Sequence, residues 1–244
     1  MGRDLKASKE KIILWLRGKV KEAGASGAVV GLSGGVDSSL VAALAKQALG
    51  DNVLGVIMPC ESDENDARHA KEVAKKFGIK TEVVDLSSTY RTFMKSLPEG
   101  IRIAQANIKP RLRMATLYYF ANSKNYVVLG TDNRVELMLG YFTKYGDGGV
   151  DLLPIADLYK GEIRDMARML GVPSGVIDKP PSAGLWSGQT DEGEIGMTYD
   201  EMDTILRAMD SGKTSGIGQE SMLRIKKMIK NSEHKRVLPQ ICRL

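Results

Sequence analysis

A short apolar segment that leads into a glycine-rich turn and then a helix most constrains the fold of this 244-residue chain. The apolar segment is 28–32, the turn carries Ser33, Gly34 and Gly35, and an alanine- and leucine-rich stretch follows Asp37. Glycine lets a backbone approach a ligand closely, and a helix start presents unpaired N–H groups with partial positive charge. The sequence therefore predicts a strand, a phosphate-binding loop and a helix in direct succession.

Two common phosphate-binding motifs do not fit this turn. A Walker A loop requires a lysine before its last serine or threonine, and the dinucleotide fingerprint requires three glycines at G-x-G-x-x-G spacing. Asp37 lies in this region instead, and a carboxylate repels phosphate unless a cation lies between them. We therefore expect Asp37 to bind Mg²⁺ together with polyphosphate oxygens. The alternative is a plain glycine turn with a capped helix, which the flanking strand and helix disfavour.

Apolar strands alternate with helices along the chain. Strands are predicted at 28–32, 53–58, 81–86 and 126–131, and helices at 4–23, 37–49, 64–77, 87–97, 109–123, 160–170, 199–209 and 219–229. This alternation indicates a doubly wound α/β fold, a mostly parallel sheet with helices on both faces. We expect the loop at 31–39 and the segment 130–133 to form two walls of one site beyond the strands' carboxyl ends. Residues 179–197 are predicted to form a long functional loop.

Composition narrows the class of ligand and the compartment. The formal charge of +5 suits a polyanionic ligand, and no compact basic tract with aromatic residues indicates nucleic-acid binding. No apolar run reaches the length of a membrane span, so we expect no membrane partner. Cys60 and Cys242 are the only cysteines, which disfavours disulfides and a zinc cluster and predicts a cytoplasmic protein.

The turn at 33–38 resembles the Ser-Gly-Gly-x-Asp-Ser signature of ATP pyrophosphatases, which split ATP into AMP and pyrophosphate to adenylate a substrate. Three later segments, 107–114, 130–155 and 179–192, make the chain similar to ammonia-dependent NAD synthetases over nearly its whole length. The resemblance implies an adenine nucleotide alpha hydrolase-like fold with a five-stranded parallel sheet. It also implies a single synthetase domain over 1–244 without an N-terminal glutaminase domain, and a homodimer with the substrate site at the interface.

The reaction that this resemblance implies is amidation of the carboxylate of nicotinic acid adenine dinucleotide, or deamido-NAD. ATP adenylates the carboxylate and releases pyrophosphate, and ammonia then displaces AMP to give NAD. A carboxylate is a poor electrophile, and adenylation supplies its leaving group. Because ATP and the dinucleotide are both anionic, cations are needed to bring them together, and the expected metal is Mg²⁺.

The resemblance also implies site residues. The expected ATP contacts are Gly31, Leu32, Ser33, Gly34, Gly35, Val36, Asp37, Ser38, Thr131, Lys160 and Ser182. The expected deamido-NAD contacts are Arg111, Lys144, Asp151, His234 and Lys235. Asp37 and Glu136 match Mg²⁺ ligands, and Lys160 and Asp147 are the expected catalytic residues. We hypothesise that Asp147 orients ammonium or accepts its proton, because the nucleophile must be neutral ammonia.

Arginine placement departs from the family pattern. Many bacterial members have an arginine that meets ATP at the end of the second strand, but segment 56–62 contains none, so backbone groups near Met58 are expected to contact adenine. Arg111 and Arg113 are two positions apart on a predicted helix and point to different faces. We expect one to meet ligand and the other to form a structural ion pair.

Two other functions stay open at this point. The same loop serves other adenylating enzymes, such as tRNA modifiers, but the segment 130–155 and the missing RNA-binding region disfavour that reading. A nucleotide-binding regulator would sense ATP without turning it over, and would need neither two Mg²⁺ carboxylates nor dinucleotide contacts. Product analysis separates them, because a sensor makes no AMP and a tRNA enzyme makes AMP only with RNA.

Overall fold

A computed structural model describes residues 3–186 and 188–243. One parallel sheet contains β1 (Gly27–Gly31), β2 (Val53–Ile57), β3 (Lys80–Val83) and β4 (Tyr126–Leu129) in the order β3-β2-β1-β4. The strand order reverses between β1 and β4, which makes their carboxyl ends the place where such sheets bind ligands. This arrangement confirms that the loop after β1 and the segment after β4 meet at one edge.

The sheet has four strands where five were expected. Leu152 forms only an isolated parallel bridge with Leu129, and the Gly130 N–H donates to the Leu152 carbonyl at 2.8 Å. Pro154 follows two residues later and has no N–H to continue a ladder. The expectation of a fifth strand is therefore wrong for the described part of the chain, where this segment pairs at a single position.

Helices cover both faces of the sheet. They are α1 (Leu5–Glu22), α2 (Val36–Leu49), α3 (Glu64–Phe77), α4 (Ser87–Lys95), α5 (Arg102–Ala106), α6 (Ile108–Lys124), α7 (Arg134–Leu139), α8 (Lys160–Leu170), α9 (Ser174–Ile177), α10 (Asp191–Ile195), α11 (Tyr199–Ser211) and α12 (Gln219–Asn231). Alternate side chains of β1 belong to different cores: Ala28 and Val30 pack with α1, α2 and α8, whereas Val29 packs with α6. This alternation follows from the two-residue period of a strand and confirms the doubly wound architecture.

The carboxyl-terminal helices form a third core beside the site. Val135 and Leu139 of α7 pack with Tyr199, Met202 and other apolar residues of α10–α12. The predicted long loop at 179–197 contains the short helix α10. Among the described helices, none has the length and apolar character needed to cross a membrane.

Candidate active site

A cavity of about 790 Å³ opens at the carboxyl edge of the sheet. Every residue predicted for the site lines this cavity except Gly34 and Asp151. The cavity therefore brings together the β1–α2 loop, the segment after β4, the start of α8 and the short helical turn Glu233–Lys235. Parallel strands direct their following loops to one edge, which explains why residues distant in sequence meet here.

The β1–α2 loop is held by its own serines. The Ser33 and Ser38 hydroxyls are 2.9 Å apart, and Ser38 Oγ donates to the Gly35 carbonyl at 3.1 Å. Gly34 has a φ of +79°, and a Cβ there would overlap the backbone of Asp66 in α3. Gly35 is the N-cap residue before α2 and provides no side-chain cap, which leaves N–H groups at this helix start for an anionic ligand.

Lys160 lies between the two predicted metal ligands. Its ammonium Nζ is 2.7 Å from Asp37 Oδ2 and 3.5 Å from Glu136 Oε1, and the residue is only 2% exposed. Burial alone lowers the pKa of Lys160, but the carboxylates of Asp37 and Glu136 outweigh it and raise that pKa. The lysine therefore stays positively charged beside the glycine-rich loop.

Asn133 and Tyr199 position the acidic pair. Asn133 Nδ2 donates to Asp37 Oδ1 at 3.1 Å, and the Asn133 N–H donates to Glu136 Oε2 at 3.0 Å. The Tyr199 hydroxyl lies 3.0 Å from Glu136 Oε1. Burial raises the pKa of Glu136 to about 7, against the lowering effect of Lys160. Sequence reasoning missed Tyr199 because no local pattern connects α11 to this site.

The donor set of this pair fits Mg²⁺ bound with polyphosphate. Asp37 and Glu136 converge on one cation, the Lys160 ammonium. Within the described residues, no group of three His, Cys, Asp or Glu side chains is arranged to hold a metal by itself. Mg²⁺ binds through one or two protein carboxylates and takes its other oxygens from phosphates and water, so two acidic ligands are sufficient.

A second acidic pair lines the cavity near Lys235. Asp147 Oδ1 accepts the Thr143 N–H at 2.9 Å, whereas the buried Asp132 Oδ2 accepts no hydrogen bond from the described residues. Burial and then the charge of Asp147 raise the pKa of Asp132 well above its ordinary value. Asp147 is open to the cavity, yet desolvation by the surrounding protein also raises its pKa. Asp132 was not predicted, although its position inside the segment 130–136 was a usable signal.

Four of the five expected dinucleotide contacts, all except Asp151, line one side of the cavity. Arg111 Nη2 donates to the Lys144 carbonyl at 3.3 Å, and Lys144 Nζ donates to the His234 carbonyl at 2.6 Å. Lys235 Nζ donates to the Gly140 and Phe142 carbonyls. The three cations Arg111, Lys144 and Lys235 therefore lie with His234 on one wall of the cavity.

Asp151 is exposed and lies outside the cavity. Its Oδ1 accepts the Tyr118 hydroxyl at 2.9 Å, and its Oδ2 accepts the Val128 N–H at 2.7 Å. Within one chain, this carboxylate therefore supports the end of β4 rather than lining the cavity with the other predicted contacts.

Arg111 and Arg113 do not follow the expected division of roles. Arg113 Nε donates to the Met58 carbonyl at 3.2 Å, so an arginine of α6 reaches the end of β2. Neither arginine forms an ion pair with a carboxylate of residues 3–186 and 188–243. The expectation of a structural ion pair at one of them is therefore wrong, because both side chains face the cavity instead.

The segment that carries Ser182 crosses one side of the cavity. Lys179 forms an ion pair with Asp66 of α3, and Lys109 Nζ donates to the Leu185 carbonyl at 3.0 Å. Ser182 and Thr131 both line the cavity, as expected for hydroxyl contacts to a nucleotide. The loop is thus attached to α3 and α6 beside the glycine-rich turn.

Comparisons with known proteins agree with this geometry. Residues 8–239 match the model of the NAD synthase family. The NH(3)-dependent NAD(+) synthetase of Carboxydothermus hydrogenoformans is 50% identical over 238 residues, covering 95% of each chain, and that of Archaeoglobus fulgidus is 47% identical, covering 96% of each. A solved NMN synthetase from Francisella tularensis aligns over 100% of both chains with 35% identity and a TM-score of 0.90. An NH3-dependent NAD synthetase from Campylobacter jejuni aligns over 99% of this chain and 100% of its own, with 29% identity and a TM-score of 0.87. The chain therefore belongs to the NAD synthase family.

Proposed function

We propose that the cavity amidates deamido-NAD in two steps, through an acyl-adenylate. The chain is an ammonia-dependent ligase that converts deamido-NAD to NAD with ATP as co-substrate. In the first step a carboxylate oxygen attacks the α-phosphorus of ATP and pyrophosphate leaves. In the second, ammonia attacks the acyl carbon and AMP leaves with that oxygen.

The observation that carries this proposal is the cation-and-carboxylate cluster beside the glycine-rich loop. The uncapped start of α2 can receive phosphate oxygens, and the buried ammonium of Lys160 is fixed 2.7 Å from Asp37. A preorganised positive charge stabilises the charge that develops on phosphate oxygens in the transition state. Asp37 and Glu136 would hold Mg²⁺, which supplies charge neutralisation to the triphosphate and the leaving pyrophosphate when bound.

The second step requires neutral ammonia, and we assign its orientation to Asp147. Asp147 belongs to the glycine-rich segment 140–149 and lines the cavity together with Lys235. A carboxylate can bind ammonium and accept its proton, which delivers the free lone pair to the acyl carbon. Asp132, with its unpartnered buried oxygen, adds a second carboxyl group on the same side.

We further propose a homodimer whose interface completes the dinucleotide site. Five large apolar side chains of residues 93–119 are exposed, among them Ile101 at 72% and Tyr119 at 67%. Asp151 is bonded to Tyr118, the neighbour of Tyr119 on α6, so a dinucleotide that reaches Asp151 would extend to this face. A second copy on α6 would cover both features. We also propose one synthetase domain and a cytoplasmic location, the latter because Cys60 and Cys242 are unpaired.

Isotope transfer tests the acyl-adenylate. Deamido-NAD labelled with ¹⁸O in both carboxylate oxygens is turned over with ATP, Mg²⁺ and ammonium, and the products are read by mass spectrometry. We expect NAD and AMP in equal amounts, with one ¹⁸O in each AMP. A label in inorganic phosphate together with ADP would mean activation by the γ-phosphoryl group instead.

Parallel reactions test the substrates. Glutamine replaces ammonium in one tube and nicotinic acid mononucleotide replaces the dinucleotide in another, because a structural relative is an NMN synthetase. We expect turnover with ammonium and the dinucleotide. Faster amidation of the mononucleotide would overturn the proposed substrate, and AMP formation only with added RNA would overturn the proposed reaction.

A further inference from the structure

Arg113 is a positively charged side chain that lines the cavity and is held by neutral acceptors. Its guanidinium donates to the Met58 carbonyl at 3.2 Å and to Ser62 Oγ at 3.1 Å, and both acceptors are neutral. No carboxylate in the described part of the chain forms an ion pair with it. A guanidinium has five N–H donors, so several remain for a further partner.

Other arginines of the fold show what a paired guanidinium looks like. Arg3 is 2.7 Å from Asp157, and Arg134 is 2.8 Å from Asp210, and in both cases the carboxylate raises the arginine pKa. Burial lowers the pKa of Arg113, against weaker opposing effects of Cys60, Asp147 and Asp66. Arginine stays protonated in proteins, so Arg113 keeps a poorly compensated charge.

The position of Arg113 indicates the kind of anion that would compensate it. The guanidinium lies at the carboxyl end of β2, next to β1 in the sheet, and lines the same cavity as the glycine-rich loop. Its planar fork matches two oxygens of a phosphate group. Asp66 of α3 is already engaged by Lys179, which leaves that carboxylate less able to pair with Arg113.

We propose that Arg113 binds phosphate oxygens of a nucleotide in the cavity, at the end of β2. The proposal rests on the proposed function, because it assumes that ATP and deamido-NAD both enter this cavity. Both substrates carry phosphate, so the chemistry of the contact is shared between them. Binding measured separately for each substrate identifies which one supplies the phosphate.

Calorimetric titration of the full chain with ATP·Mg²⁺, deamido-NAD and adenosine tests this role. The variants are Arg113→Met, which removes the charge and keeps the length, and Arg113→Lys, which keeps the charge and removes the fork. Arg17→Met is the matched control, because Arg17 also donates only to neutral acceptors among the described residues, the carbonyls of Ala48 and Gln47, and does not line the cavity. Melting temperatures of all variants are recorded without ligand.

We expect Arg113→Met to lower the binding affinity for one phosphate-bearing substrate by about 10- to 100-fold, the range for loss of a charge-assisted hydrogen bond. The affinity of Arg113→Lys for that substrate should lie between the affinities of Arg113→Met and wild type. Adenosine affinity and the melting temperature should change no more than in Arg17→Met. A loss shared equally by ATP, deamido-NAD and adenosine, or a large fall in melting temperature, would mean a structural role and overturn the proposal.

Substrate binding by the wild-type protein distinguishes failure of this proposal from failure of the proposed function. Wild type that binds both substrates, with unchanged affinities in Arg113→Met, would overturn only the role of Arg113. Wild type that binds neither substrate would overturn the proposed function, and the role of Arg113 with it.

Discussion

Asp132 and Asp147 differ in their surroundings although both are acidic residues of one cavity wall. Asp132 is 5% exposed with an unpartnered oxygen, whereas Asp147 accepts the Thr143 N–H and is open to the cavity. An unpaired buried carboxylate destabilises a fold, and proteins retain such groups where they act on a ligand. The two residues therefore call for different tests, one of stability and one of catalysis.

Asp132→Asn should stabilise the protein at neutral and alkaline pH. We expect the free energy of unfolding to rise by about 1–3 kcal/mol at pH 8, because the variant removes a buried carboxyl group that ionises more easily in the unfolded chain. The folded-state pKa of Asp132 is raised above its ordinary value of 3.8, so the destabilisation is full above the folded pKa. This destabilisation declines as pH falls, and it is absent below the pKa of Asp132 in the unfolded chain, where the carboxyl group is protonated in both states. Urea unfolding across this pH range measures the difference between variant and wild type.

The control for this measurement is Asp157→Asn. The Asp157 side chain is 74% exposed and pairs with Arg3 at the surface, so its removal should change stability by less than about 1 kcal/mol. An Asp132→Asn variant that is less stable than wild type at pH 8 would contradict the prediction.

Asp147→Asn should slow amidation more than adenylation. The amide oxygen can still accept the Thr143 N–H, but it cannot take a proton from ammonium. We expect amidation to fall by about 10²- to 10⁴-fold, the range for loss of a general base, with adenylation nearly unchanged. Single-turnover release of pyrophosphate and formation of NAD report the two steps separately. Equal losses in both steps would rule out the assigned role.

At the scale of elements, the β1–α2 turn depends on close contact with α3. Gly34 has positive φ, and a Cβ at this position would overlap the backbone of Asp66 near the start of α3. Gly24 has a similar φ of +63°, but a Cβ there would have no neighbour within 4 Å. The two glycines therefore separate the effect of backbone conformation from the effect of contact.

Gly34→Ala should destabilise the chain more than Gly24→Ala. Both variants place a Cβ in the left-handed region, which costs about 1–2 kcal/mol. Only Gly34→Ala must also displace the α3 backbone, so we expect a further loss of stability and at least tenfold weaker ATP binding. Denaturant unfolding and calorimetry measure these effects. Equal destabilisation by the two variants would show that the contact with Asp66 is unimportant.

At the scale of the whole molecule, the exposed apolar side chains of residues 93–119 are the proposed dimer contact. Exposed apolar patches on soluble proteins commonly mark interaction sites. Tyr119 of α6 and Leu223 of α12 are both 67% exposed, so they expose apolar side chains to the same degree. They provide a matched pair for testing which surface a second copy covers.

Tyr119→Glu should shift the protein from dimer to monomer, because a charge would be buried in the contact. Leu223→Glu should leave the dimer intact. Sedimentation equilibrium measures both, and the KM for deamido-NAD should rise with Tyr119→Glu while the KM for ATP changes little. A wild-type monomer, or dissociation by Leu223→Glu alone, would contradict the proposed interface.

Local sequence was sufficient for the features that depend on local physics. The alternation of strands and helices was predicted with bounds close to those observed, such as 64–77 for α3. The glycine-rich turn was predicted because a strand end, two glycines and a helix start are adjacent in the chain. The local pattern also predicted the four strands that are observed. The fifth strand, which the family resemblance implied, is absent from the described residues because Leu152 pairs at one position only and Pro154 ends that pairing.

The sequence by itself determined the fold class and the glycine-rich turn, and all but two of the site residues expected from it line the cavity. Only the tertiary structure decided how these residues act on one another. Lys160 meets Asp37 across 123 positions, and among the described residues Asp132 Oδ2 has no hydrogen-bond partner and Arg113 has no carboxylate partner. The physical reason is the sequence separation over which each interaction acts. Helix and strand formation follow from neighbouring residues, whereas the charge and burial of a side chain depend on segments that meet only after the chain has folded.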